Sequence, residues 1–138
     1  MFSTIELIGI QIADFLKTFD FSEKAEFLLV PDFDFQEIKD LRILVVPQSF
    51  TADNSGSATR GGTDDRYKMN IGICKRVKKQ EEITGLLVLT ERIFNVLKRK
   101  KIGNFYIVSV ENDPVYDMNS LRTSKVFVSV LTANIKVL

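Results

Sequence analysis

Between residues 66 and 138 the apolar positions change period twice, and that change restricts the chain to a narrow set of folds. Residues 66–78 (RYKMNIGICKRVK) alternate, with Tyr67, Met69, Ile71, Ile73 and Val77 on one face. Alternation of this kind marks a half-buried strand. Residues 81–101 then follow a helical period: Ile83, Leu86, Leu87, Ile93, Val96 and Leu97 make a stripe that Leu89 and Phe94 widen. Glu81 and Glu82 stand where a helix start favours carboxylates, Lys98, Arg99, Lys100 and Lys101 where its end favours cations, and Gly103 where a C-terminal stop is expected. Residues 105–110 (FYIVSV) and 124–138 return to strand patterns, the latter with Phe127, Leu131, Ile135 and Val137 roughly on one face. A short helical turn near residues 117–121 is expected in the connection between them.

The first half supplies what such a unit needs to close. Ile5, Ile8, Ile12, Phe15, Leu16 and Phe19 fall at helical spacing, with Ser3 or Thr4 as the cap and Glu6 in the first turn. Residues 23–30 (EKAEFLLV) read as a strand stopped by Pro31, and Asp34 is placed to start a single helical turn through Lys39. Residues 41–50 (LRILVVPQSF) form another strand, in which Pro47 removes a ladder donor and so predicts an edge or a bulge. The reading is an α+β domain over residues 1–138, in the order α-β-β-β-α-β-β: a mostly antiparallel five-stranded sheet with two helices packed on one face. Residues 51–65 (TADNSGSATRGGTDD) carry almost no apolar side chain to offset ordering entropy, so they are expected to be a flexible arm.

The residues that are missing bear on function. With 138 residues the chain can bury a core without staples. It contains no His, which removes Ser/His and Cys/His nucleophile pairs, His bases and His metal ligands. Cys74 is the single cysteine; inside an alternating strand it reads as a small structural residue. Asp32/Asp34, Asp64/Asp65, Glu81/Glu82 and Asp113/Asp117 each have a simpler role in turns, loops or helix starts than in a converging acid–base or metal site. No cofactor motif is present. The net charge of +1 gives no global pull toward nucleic acid or membrane. No apolar run approaches the ~18 residues of a membrane span, and the N-terminus lacks a basic leader, so a soluble protein made in a cytoplasm is expected. If both helices cover one face of the sheet, apolar side chains remain on the other, which implies a partner subunit there.

Several short stretches fit a known pattern. The run LRILVVP at 41–47, the strand DRYKMNIGI at 65–73, the helix ending RKKIG, the stretch VENDPVYD at 110–117 and the closing strand from 127 occur in an order and spacing that resemble bacteriophage tail terminators, also called tail-completion or neck proteins. The resemblance covers roughly residues 23–138. It implies a non-catalytic virion protein that forms an oligomeric ring, typically six-fold, on the last ring of the tail tube. Such a ring stops tail polymerisation and joins the tail to the head-side connector. Its implied partners are other copies of itself, the tail tube protein, neck proteins and the genomic DNA that passes through, with no membrane. The implied location is the virion neck, after assembly in the host cytoplasm. In that picture residues 51–65, among them Thr51, Asp53, Asn54, Arg60, Asp64 and Asp65, form an assembly arm. Lys75, Arg76, Lys98, Arg99, Lys100 and Lys101 are the candidates to face a lumen and DNA.

Three rivals stand beside this reading. Another neck component, such as a head-closure or connector protein, differs in what it touches. A DNA-binding module would use the same Lys/Arg clusters and show a steep salt dependence. An enzyme would need a convergent carboxylate pair.

Overall fold

The computed structural model describes residues 1–31, 34, 37–53 and 64–138. It is an α+β fold: helices α1 (Thr4–Lys17), α2 (Glu81–Leu97) and α3 (Met118–Ser124) with strands β1 (Ala25–Phe27), β2 (Arg42–Asp53), β3 (Asp64–Arg76), β4 (Lys101–Ile102), β5 (Phe105–Glu111) and β6 (Val126–Val137). The six strands form one sheet in the order β1-β2-β3-β6-β5-β4. All neighbours are antiparallel except β1 and β2, which are parallel, so the sheet is mixed.

The strand and helix periods place the core as expected. Met69, Ile71 and Ile73 of β3 lie opposite Ala133, Leu131 and Ser129 of β6, and Ile43, Val45 and Pro47 of β2 continue these rows. The apolar members of these rows, with Phe105, Ile107, Phe127 and Ile135, pack under α1 (Ile8, Ile12, Leu16) and α2 (Leu86, Ile93, Leu97). α1 begins with a reciprocal cap: Glu6 N–H donates to Ser3 Oγ at 3.2 Å and Ser3 N–H donates to Glu6 Oε1 at 3.3 Å. α2 starts differently, because Glu82 reaches back and accepts from the amides of Lys78 (2.6 Å) and Lys79 (3.3 Å).

Several expectations are corrected. The sheet has six strands rather than five, and a third helix of seven residues follows β5. α2 ends at Leu97, not at 101: Arg99 adopts a left-handed φ of 55°, and Lys101 already belongs to β4. Gly103, with φ 56°, therefore opens the two-residue β4–β5 turn instead of stopping the helix. The long last strand lies in the middle of the sheet between β3 and β5. Bulges between Pro47 and Ser49 and between Ile107 and Ser109 each shift the alternation by one. The first meets the expectation from Pro47; the second turns Val110, not Ser109, toward the helices. The expected helical turn after Asp34 falls largely outside the described residues.

At Gly9 helix α1 comes close to the sheet. A Cβ there would collide with the Phe27 ring and come within 3.3 Å of the Met69 methyl. Gly9→Val should lower stability by about 1–3 kcal/mol through overpacking. The check is a urea titration, where a lower midpoint at unchanged slope is expected.

Candidate functional site

The helix-free face of the sheet has two halves of different chemistry, and strand register creates both. At one end Leu44, Gly72 and Val130 lie opposite one another, flanked by Val46 and Asn70 on one side and Cys74 and Val128 on the other. With Pro31 and Asp34 they line an apolar groove of about 380 Å³. Gly72 lies at its floor, and a Cβ there would meet nothing within 4 Å. The chain between β1 and β2 covers part of this end: Ile38 packs on Cys74, Val126 and Val128. Arg76 fixes it there, donating from Nε to Ile38 O (3.0 Å) and from Nη1 to Ser124 O (3.1 Å). The cover is incomplete, since Val130 remains 39% exposed.

Toward the other end the same face becomes basic. Lys101, Tyr106, Lys136, Arg66 and Thr51 occupy one row across five strands. Lys68, Asn134, Ser109 and Ser49 form the next row, in which Asn134 Nδ2 donates to Ser109 Oγ at 2.9 Å. Between the halves Thr132 Oγ1 donates to Asn70 Oδ1 at 3.0 Å, closing the polar edge of the groove.

The basic residues singled out in the sequence are not brought together. Lys75 and Arg76 end β3, beside Lys39, Asp40, Lys78 and Glu82 near the start of α2. Lys98 and Arg99 follow the other end of that 17-residue helix, about 25 Å away at 1.5 Å per residue. Lys100 Nζ lies 5.4 Å from the centre of the Phe15 ring, bracing the β4 connection against α1. Arg76 is committed to backbone carbonyls, a structural role. Arg66, Lys68 and Lys136, which the sequence reading passed over, form a row with Lys101 only once the register is known.

The two ends of the candidate arm are strand rather than flexible chain. Thr51 and Asp53 belong to β2, Asp64 and Asp65 to β3, and Thr51 lies opposite Arg66, Ala52 opposite Asp65 and Asp53 opposite Asp64. Asn54 and Arg60 lie outside the described residues. Just inside this end Phe50 is 68% exposed, its ring centre 5.8 Å from that of Tyr67.

A second groove, of about 410 Å³, runs along the opposite edge on the helix side. Phe94, Lys98 and Arg99 form one wall, and Val108, Ser109 and Val110 of β5 the other. Lys98 Nζ lies 5.5 Å from the Phe94 ring centre.

Two carboxylates, Glu82 and Asp117, serve helix starts. The Lys78 and Lys79 amides hold the Glu82 carboxyl below its ordinary range. Asp117 caps α3 and is lowered chiefly by the Ser120 hydroxyl, which donates to its Oδ2 at 2.8 Å. Among the described residues no three Cys, Asp or Glu side chains converge on a point that could hold a metal ion, and no helix is long and apolar enough to cross a membrane.

Burial pushes the Cys74 thiol up to about 11 from an ordinary 9.0. Its folded pKa is thus raised, so its contribution to stability is complete below pH 9 and is lost as pH rises to about 11. The loss should total between about 2 and 3 kcal/mol. A comparison of urea midpoints for wild type and Cys74→Ala from pH 8 to 11 isolates it, because Cys74→Ala should lack that part of the decline. At pH 8 the native thiol should also react with a disulfide reagent roughly 100-fold more slowly than the unfolded chain.

No protein-family model matches this chain, and no curated protein matches it either.

Proposed function

We propose that this chain is a structural virion subunit of the tail-terminator kind. It caps a phage tail tube as a closed ring, six-fold in the family it resembles, stops tail growth and joins the tail to the head-side connector. The observation that carries the reading is the apolar groove on the helix-free face, centred on Gly72 and bordered by Leu44, Val46 and Val130. An open apolar strip on a sheet whose other face is already packed suits burial against another protein. On this reading the strip meets the tube or the connector, and the segment that joins β2 to β3 contributes an arm that engages a neighbouring subunit. The protein has no turnover of its own.

Light scattering over a concentration series, with negative-stain images of the same samples, tests the assembly. Closed rings of identical subunits are expected, and tail tubes should template them at concentrations where the free chain does not associate. Rings that bind isolated portal or adaptor rings but not tubes would instead identify a head-closure protein. Gly72→Lys fills the groove without meeting a neighbour. It should change stability by less than about 1 kcal/mol and abolish cosedimentation with tail tubes. Retained tube binding would remove the groove from the interface.

A DNA-binding reading has one observation in its favour, the row of Lys101, Lys136 and Arg66 with Lys68 beside it. It requires affinity for duplex DNA that falls steeply with salt. No binding at low salt would exclude it.

A further inference from the structure

Among the described residues the sheet has an open stretch beside each of its two short outer strands, and the two open stretches match. β1 reaches β2 only as far as Val45, where Leu28 N–H donates to the Val45 carbonyl at 3.0 Å. Among the described residues no strand lies outside residues 46–53. On the other side β4 pairs only with Phe105 and Tyr106, and Ile107 N–H donates to Lys100 O at 2.9 Å. Residues 108–111 of β5 likewise have no strand on their outer side among the described residues. Unpaired edges of this kind are templates for strand addition.

Direction and face also agree. β2 and β5 run antiparallel within the sheet, because three antiparallel steps separate them. A neighbour's β2 laid beside this β5 would therefore continue the antiparallel alternation and keep all helices on one side. The bulge in each strand puts Phe50 and Val110 on that same helix side, level with Tyr67 and Ala133 of their own sheets. Residues opposite each other across two strands share a face. Pairing Phe50 of one copy with Val110 of the next keeps both open stretches in register and sets the phenyl ring over the groove of Phe94, Lys98 and Val108.

We infer that the open edge of β2, with Phe50 as its anchor, docks on the open edge of β5 and the Phe94–Lys98 groove of a second copy of this chain. The contact rests on the ring reading above and names its subunit interface. It is heterologous, with two different patches per subunit, which is what a closed ring requires. Phe50 exchanges solvent for an aromatic wall, and the Lys98 ammonium, already beside the Phe94 ring, gains a second ring face.

Two exposed substitutions test it. Phe50→Lys should block one patch and Val108→Lys the other, each by setting a cation in the apolar contact. Circular dichroism should show both folded. Each alone should weaken self-association at least 30-fold, the loss of about 2 kcal/mol typical of an interface anchor. Mixed one to one, they should form a dimer of twice the 15.7 kDa chain mass and stop there, because one intact β2 edge and one intact β5 edge remain. Wild-type rings with unaffected variants would overturn the edge pairing and leave the ring reading standing. A wild type that stays monomeric alone and on tail tubes, with no mixed dimer, would overturn both.

Discussion

The fold depends on β6 lying between β3 and β5. Eleven of its residues pair with β3, from Val126 opposite Arg76 to Lys136 opposite Arg66, and its other side carries β5. Its inward side chains, Phe127, Leu131, Ala133 and Ile135, form the floor on which α2 rests, and they link that floor to the rows of β3 and β2 beneath α1. Without β6 the two helices would cover two unconnected pieces of sheet, the three strands β1-β2-β3 and the β4–β5 hairpin. The pairing joins segments about 60 residues apart, so the core closes through long-range contacts, an arrangement associated with slow folding.

The edges follow from that centre. Short strands, β1 and β4, guard only one end of each flanking strand, and a bulge falls near the point where each guard ends, at Gln48 in β2 and Val108 in β5. Bulges twist and re-aim the chain. Here they bring Phe50 and Val110 to the side of the sheet that carries the helices, although simple alternation would send both to the other side. The groove around Gly72 and the grooved β5 edge are thus separate surfaces on different faces, suited to different neighbours.

Much of this architecture was legible because burial imposes periodicity. The stripe of α1, the alternation of β3 from Tyr67 to Ile73, the inward set of β6 and the bulge at Pro47 all follow from side chains that must reach one core. The losses have equally physical causes. Lys98, Arg99, Lys100 and Lys101 are good helix formers, so the pattern runs on past Leu97. The break is a single left-handed residue, Arg99, followed by a strand two residues long, too short to show a period. The central place of β6 could not be read, because strand order depends on pairing partners that alternation does not encode. The basic row of Lys101, Lys136 and Arg66 was hidden for the same reason: three cations from distant segments become neighbours only through register. Phe50 stood out least, as one aromatic at the end of an expected strand, and its face is set by a bulge that alternation does not show.

The central position of β6 also has a consequence for synthesis. While a ribosome is still making the chain, β3 and β5 both present unpaired edges, and α2 has no complete floor to rest on. The sheet cannot close until Val137 has emerged. Any crowding of nascent copies before then would set those inner edges against one another.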